Sequence, residues 1–249
     1  MKFNEMNGVI PAAPATEADI QRDKEKMSKV AAPPIEFIHQ TPLVKNQQSS
    51  RMCVAFALSS IREVFARKQS FPESWNFSPA YIYANRRGFD PPSEKEGMRI
   101  ESALKNLIQY GVCFNNTFSE LGTYPELEKL LQERKTKADK EAANYKISNY
   151  TRVYSRTSVK NSIYGSGPVI ASWPMWENFK QDITKNGIVN VPDTYTISGY
   201  HAMTILGWKR IENIEYWVVL NSWGTQFAIT GICYMPTSVF PYEAWGLRV

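Results

Sequence analysis

Three observations predict an α+β chain built as two lobes. From Cys53 to Phe65 the apolar residues recur at three- and four-residue steps, the period of a helix packed into a core. From Tyr145 onward the apolar runs are short and rich in β-branched or aromatic residues, with proline or polar turns at their ends. The chain has 249 residues, of which 43% are hydrophobic, so each half can bury a core and leave a cleft between them. Helices first and strands second is the segregated order of an α+β fold.

Residues 1–35 differ in composition from the remainder of the chain. Pro11, Pro14, Pro33 and Pro34, with several alanines, frame a polar segment from Glu17 to Lys29. Ile20, Met27 and Val30 fall near one face of that segment, which predicts two or three helical turns. The extension is either a linker or a short pro-segment lying in the cleft, and it is also where an assembly partner would attach. Residues 36–249 then form one domain, with a helical lobe over about 50–125 and a β-rich lobe over about 126–249.

An extended stretch from Ile35 to Val44 leads into a polar turn, Lys45 to Arg51. A helix is expected next, from Cys53 to Arg67, with Ser49 and Ser50 as candidate N-caps. A second helix is expected from Ser78 to Arg86, and a third from Ile100 to Tyr110, closed by Gly111. In the second half, Tyr145 to Val153 alternates, and Val169 to Trp173 is an apolar run bounded by Pro168 and Pro174. His201 to Trp208 and Tyr216 to Leu220 are β-rich runs around a polar hairpin loop, Lys209 to Glu215.

Charge and cysteine usage narrow the function classes. The net charge is +5, and the basic residues are spread along the chain. The densest run, Arg134 to Lys140, contains Asp139 and comes after Glu133, which marks a solvated helix face rather than a nucleic-acid footprint. No stretch approaches the roughly 18 uninterrupted apolar residues of a membrane span, and the N-terminus lacks the apolar core of a signal peptide. Neither nucleic acid nor membrane is therefore an expected partner, and cytoplasmic residence is the default. Three cysteines do not make a disulfide framework. Cys113 and Cys233 are expected as buried thiols, with a bridge between them left open. No metal or cofactor is expected.

A thiol nucleophile needs positive potential beside it, a base in hydrogen-bond reach, a group that orients the base and donors for the oxyanion. Cys53 lies at a predicted helix start, where unpaired backbone N–H groups would face its sulfur. The chain has 2 histidines. His39 sits upstream of the polar turn without a partner pattern, whereas His201 opens a strand after Ser198-Gly199-Tyr200 and is the better base. Singly, each signal also fits a plain structural role: an inert buried thiol or a packed histidine.

Three segments together carry a family resemblance. Asn46-Gln47-Gln48-Ser49-Ser50-Arg51-Met52-Cys53-Val54-Ala55-Phe56-Ala57 resembles the nucleophile segment of papain-like cysteine peptidases, with Gln47 six positions before Cys53. Gly199-Tyr200-His201-Ala202-Met203-Thr204-Ile205-Leu206-Gly207-Trp208 is similar to that family's histidine strand, and Asn221-Ser222-Trp223-Gly224 to its asparagine segment. His201 and Asn221 lie about 150 and 170 residues after Cys53, in the family's order. Weaker likenesses at Ser78-Pro79, Glu96-Gly97-Met98, Tyr110-Gly111 and Gly167-Pro168 extend the match over most of 35–240.

The resemblance implies a papain-like two-lobe fold and cysteine-type peptide hydrolysis of a polypeptide substrate through a thioester. It implies Cys53 as nucleophile, His201 as base, Asn221 as its orienting group, Gln47 as an oxyanion donor and Trp223 as the shield of the His–Asn pair. Gly97 would let an extended substrate backbone approach, and Met98, Trp173 and Met175 are candidates for an apolar pocket, with core packing as their alternative. The chain departs from the pattern at Gln48 and Ser50, at Val54 in place of a tryptophan, and at Phe227-Ala228 in place of Trp-Gly. The missing disulfide half agrees with a bacterial or phage type, cytoplasmic or virion-associated. A rival is a catalytically impaired papain-fold protein serving as a structural or binding module in an assembly such as a virion. Another is a transglutaminase-like or amidase-like enzyme, which would lack the matching Gln47 and Asn-Ser-Trp-Gly run.

Overall fold

A computed structural model of the chain describes residues 8–27, 31–70, 72, 75–86, 89–90, 96–119 and 121–249. Its helices are α1 (Glu17–Met27), α2 (Cys53–Lys68), α3 (Pro79–Ala84), α4 (Ile100–Gln109), α5 (Tyr124–Ala142) and α6 (Arg156–Gly165). Its strands are β1 (Phe37–Ile38), β2 (Asn149–Val153), β3 (Val169–Met175), β4 (Gly199–Ile211), β5 (Ile214–Leu220), β6 (Ile232–Pro236) and β7 (Glu243–Arg248).

Helix α2 is buried on every face from Cys53 to Ala66, which explains why apolar and small residues run around it rather than along one stripe. It lies between two cores. One is helical, where Leu58, Ile61, Tyr81, Ile82, Leu104 and Leu107 pack together. The other belongs to the sheet, where Val169, Trp173, Ile205, Trp208, Trp217 and Val219 pack together. The Thr204 hydroxyl on β4 donates to the Ala57 carbonyl of α2 at 3.1 Å, tying the helix to the sheet.

Local sequence explains the other helices. Ser78 caps α3 by accepting from the Tyr81 N–H at 2.9 Å, with Pro79 in the first turn. Gly111 stops the chain after α4 at φ 79°, and a Cβ there would lie 2.0 Å from the Ala142 carbonyl oxygen. Thr123 and Glu126 form a capping box at the start of α5. That helix runs across the lobe division expected at residue 126, and it packs on α3 with Leu127 and Leu131 inside the helical core, so it belongs with the helices. Its polar residues face solvent, as the interrupted charge run predicts.

The sheet runs β2-β7-β3-β4-β5-β6, with β1 pairing on β4. Strand β4 is the longest and turns into β5 through Glu212 and Asn213, at φ 49° and 67°. A turn with both central residues left-handed matches the twist of the strands it joins, so the expected polar loop shrinks to two residues. Strand β3 does not stop before Pro174, as expected, but runs to Met175. Its second neighbour, β7, pairs only over Ile170 to Ser172, so the proline interrupts no ladder on that side.

Helix α1 covers the expected segment as far as Met27, and Ser28, Lys29 and Val30 lie outside the described residues. Its buried residue is Asp23, whose carboxylate accepts from the Ser155 hydroxyl at 2.5 Å, while Ile20 and Met27 are half-buried. Cys113 sits in the helical core and Cys233 in the sheet core. Both are free, and burial pushes each thiol up to about 12.

One ion pair sits beneath the polar turn. The Lys45 ammonium lies 2.6 Å from the Glu63 carboxylate and also donates to the Ser59 hydroxyl at 2.9 Å and the Phe77 carbonyl at 2.7 Å. Burial lowers the lysine and raises the glutamate, and their mutual attraction opposes both shifts. Removing one partner of such a pair strands the other charge, so Lys45→Met is expected to cost about 3–5 kcal/mol in urea unfolding. Lys45→Met with Glu63→Gln should recover part of that loss. A single-variant cost below about 1 kcal/mol would show that the pair bears no structural weight.

Candidate active site

The site begins at the N-terminus of α2. Its N-cap, Met52, supplies no side-chain acceptor, and neither Ser49 nor Ser50 caps the helix as expected. The Ser50 hydroxyl instead donates to the Gln47 carbonyl at 2.7 Å. The first intrahelical bond runs from the Phe56 N–H to the Met52 carbonyl, so the N–H groups of Cys53, Val54 and Ala55 project from the helix end. The Cys53 thiol is fully buried there. Burial raises its pKa, while backbone hydrogen bonds from Ala202, Gly8, Val54 and Cys53 itself draw it back. The Ala202 contact brings the sulfur against β4, beside His201.

His201 is also fully buried. Its Nε2 lies 2.8 Å from Asn221 Oδ1, and that oxygen also accepts from the Ser222 N–H at 2.7 Å. The backbone donor settles which end of the amide faces it, so Asn221 presents oxygen to the ring and Nε2 carries the hydrogen. The Trp223 indole lies over the pair, its centroid 4.7 Å from the imidazole. Phe227 and Phe179 pack edge-on against that indole at 5.0 and 6.0 Å. Phe227 therefore supplies aromatic cover where the family pattern has a tryptophan. Ala228 next to it adopts φ 44°, a conformation glycine takes more easily.

Gln47 is held from both ends of its carboxamide. Its Nε2 donates to the Ser50 carbonyl at 2.7 Å, and its Oε1 accepts from the Ser222 hydroxyl at 2.6 Å. Backbone bonds continue the lacing, from the Gln47 N–H to the Ser222 carbonyl at 2.8 Å and from the Gly224 N–H to the Lys45 carbonyl at 2.9 Å. Ser222 is thus a positioning residue that sequence reasoning quoted in a motif but gave no role. His39, by contrast, is structural: its Nε2 lies 2.9 Å from the Ile163 carbonyl.

The pocket candidates divide. Trp173 is 1% exposed and Met175 fully buried, both in the sheet core, so core packing accounts for them. Met98 is likewise fully buried, in the helical core, and the chain's own extension lies against it and Gly97. The Met98 N–H donates to the Gly8 carbonyl at 2.8 Å, and the Ile10 N–H to the Met98 carbonyl at 3.1 Å, as a parallel bridge. On the other wall the Val9 N–H meets the Tyr200 carbonyl at 3.4 Å. A Cβ on Gly8 would sit 2.0 Å from the Arg51 carbonyl oxygen, so no other residue fits that approach. Past the cleft the extension is gripped at Ala12 by Glu243 and the Tyr242 hydroxyl, and at Ala13 by Arg152. A cavity of about 420 Å³ opens elsewhere, beneath α1 between α6 and the β2–β7 edge, away from the thiol.

Comparison with known proteins bears on this arrangement. The family described as papain family cysteine protease matches residues 38–240. An uncharacterized peptidase C1-like protein of Acanthamoeba polyphaga mimivirus is 28% identical over 74% of this chain and 61% of its own length. Cathepsin B-like cysteine proteinase 3 of Caenorhabditis elegans is 35% identical over 39% of this chain and 26% of its own. The chain thus spans less than two thirds of the length of both. Among solved structures, xylellain, a cysteine protease from Xylella fastidiosa, superposes with a TM-score of 0.79 at 21% identity, covering 100% of this chain and 98% of that one. The procathepsin B S9 of Trypanosoma congolense gives 0.72 at 13% identity, covering 98% and 87%. At these identities the likeness shows the fold, which is the papain-like two-lobe α+β architecture.

Gln48, where the family has glycine, adopts φ 53°. The left-handed conformation costs a side-chain-bearing residue roughly 1–2 kcal/mol, and glycine returns part of that as unfolded-state entropy. Gln48→Gly is therefore expected to stabilise the protein by up to about 1 kcal/mol in urea unfolding. A destabilisation would mean the side chain makes a contact that outweighs the strain.

Proposed function

Because this chain belongs to the papain family of cysteine proteases, we propose that it hydrolyses peptide bonds of polypeptide substrates, with Cys53 as nucleophile and His201 as acid and base. The observation that supports this most is a thiol at an uncapped helix end, hydrogen-bonded by the residue after a histidine whose other side Asn221 holds.

With Nε2 bound to Asn221, Nδ1 is the ring nitrogen that takes the proton in this reading. The Cys53 sulfur gives up its proton to Nδ1 and attacks the substrate carbonyl carbon. The oxyanion is met by the Cys53 N–H and the Gln47 carboxamide, whose orientation Ser222 and Ser50 fix before substrate arrives. As the C–N bond breaks, the imidazolium hands its proton to the departing nitrogen, leaving a thioester. Water then attacks the thioester carbon, loses a proton to His201, and the C–S bond breaks to release the acid and restore the thiol. Trp223 keeps bulk water from competing for the His201–Asn221 bond.

Residues 8–10 act in this proposal as an internal cover. They run parallel to Met98, and the Gly8 N–H faces the sulfur. They block the cleft.

An epoxide directed at thiol peptidases, with the adduct mapped by mass spectrometry, tests the chemistry. Labelling is expected at Cys53 and should vanish in His201→Ala; Gln47→Ala should lower kcat by about 10²–10³ with folding intact. Gly8→Val cannot occupy its place against Arg51, so it should open the cleft and raise peptide turnover by about tenfold or more. Opening also hydrates the thiol. The pH midpoint for alkylation of Cys53, held above the ordinary cysteine range by burial, should therefore fall in Gly8→Val. Unchanged turnover and midpoint would remove the cover. A folded Gly8→Val protein that never labels at Cys53 would point to the inert scaffold instead.

A further inference from the structure

Two sets of contacts hold the extension, and they differ in what a substrate can replace. Residues 8–10 are held through main-chain groups of Met98 and Tyr200. An extended peptide brings the same N–H and carbonyl groups to those partners. Residues 12–13 are held by side chains. The Ala12 N–H donates to Glu243 Oε1 at 3.3 Å, the Tyr242 hydroxyl donates to the Ala12 carbonyl at 3.1 Å, and Arg152 Nη1 donates to the Ala13 carbonyl at 2.9 Å. Helix α1 follows and is tied to α6 and its cap through Asp23 with Ser155, and through the Asn161 carboxamide at 3.3 Å from the Met27 sulfur. A substrate therefore displaces residues 8–10 at little net cost in hydrogen bonds, while the docked helix keeps residues 12–13 in place.

That partition walls one end of the cleft. In the proposed mechanism His201 delivers its proton to the departing nitrogen, so the amine half of a substrate lies on the side of His201 and Trp223. The acyl half lies along the line from Cys53 past Met98, where residues 8–10 run. Three extended residues fill the vacated length, about 10 Å, and Ala12 stands beyond them. Glu243, at the start of β7 and 2% exposed, sits at that point. Its carboxylate takes two neutral donors, the Ala12 N–H and the Trp245 indole N–H at 2.8 Å, out of about four that a carboxylate accepts. Burial raises its pKa, opposed by those N–H groups and by the charge of Arg152, whose guanidinium is engaged with Ala13 and lies 5.6 Å from the Trp245 ring. A buried carboxylate held by neutral donors gains from an ammonium brought beside it.

We infer that the chain removes short peptides, two or three residues long, from the free N-terminus of a polypeptide. Residues 12–13 are the wall that limits the acyl side, and Glu243 binds the substrate's α-ammonium. The bond broken and the proton transfers are those given above; the new element is the position of the cut. The inference rests on the peptidase assignment and on the cover formed by residues 8–10.

The test uses the full chain carrying Gly8→Val and four peptides that share the sequence around the cleaved bond and end in an amide. Two carry three residues before that bond, with the amine free or acetylated, and two carry six, likewise. The free three-residue peptide should exceed its acetylated counterpart in kcat/KM by about tenfold, and both six-residue peptides by at least as much. The same order, at lower rates, is expected of the unsubstituted chain, which keeps the test valid should Gly8→Val not fold. Glu243→Gln retains an acceptor for the Ala12 N–H but removes the charge, so the free-to-acetylated ratio should come within about twofold of one. Tyr242→Phe with Arg152→Gln loosens the wall, and the six-residue peptides should gain about fivefold on the short ones. Binding of the same peptides to the Gly8→Val, Cys53→Ala chain, measured by calorimetry, separates the two claims. The expected order of affinities without cleavage by the active chain fails the peptidase assignment and keeps the ammonium site. A six-residue acetylated peptide cleaved as well as the short free one overturns the inference, as does a free-amine preference that survives Glu243→Gln.

Discussion

The uncapped N-terminus of α2, buried where the two cores meet, is the constraint on which the rest of the site depends. A helix end in the interior leaves N–H groups that must find acceptors, and a capping serine would have satisfied them. Here Met52 offers none, and the Cys53 sulfur takes that place. The helix is buried on all sides, so its end cannot drift relative to β4 without breaking both cores. Positive potential at the sulfur comes from how the helix is packed rather than from a nearby charged side chain.

The second constraint is the lacing between residues 45–47 and 222–224. It joins Gln47 to the strand end that carries Asn221, so both amide side chains are set by one patch of backbone pairing. Lys45 anchors the same patch from below, through Glu63, Ser59 and Phe77. Donors fixed in this way need little reorganisation when negative charge develops on a substrate oxygen. The strained backbone at Gln48 and Ala228 lies on this patch and the adjoining loop, where glycine would be easier and the surrounding bonds hold the chain regardless.

The extension adds a third layer. It crosses the cleft between Met98 and Tyr200, is gripped at Ala12 and Ala13 by β7 and its neighbours, and then settles as α1 against α6. The grip and the cleft segment are separate sets of contacts. On the proposed reading, the cleft opens at residues 8–10 while α1 stays docked. Such partition suits a cover that yields to substrate without unfolding the lobe beneath it.

Much of the site was legible in the sequence because its chemistry is carried by residue types at fixed offsets. Gln47 and Cys53 sit on one turn and helix start, and His201 and Asn221 each open or close a β-rich run. Helices α2 to α4 were legible for a similar reason: apolar periodicity, Ser78 and Gly111 are short-range signals. Only the tertiary structure decided which distant atoms meet. The Ser222 hydroxyl reaches Gln47 across 175 positions, and the Ala12 N–H reaches Glu243 across 231. It sent Trp173 into the sheet core, assigned α5 to the helices, and laid Gly8 against Arg51. Periodicity states how a segment presents its own faces. It carries no record of what the other wall offers, and that wall determines which polar atoms pair and which surface closes a cleft.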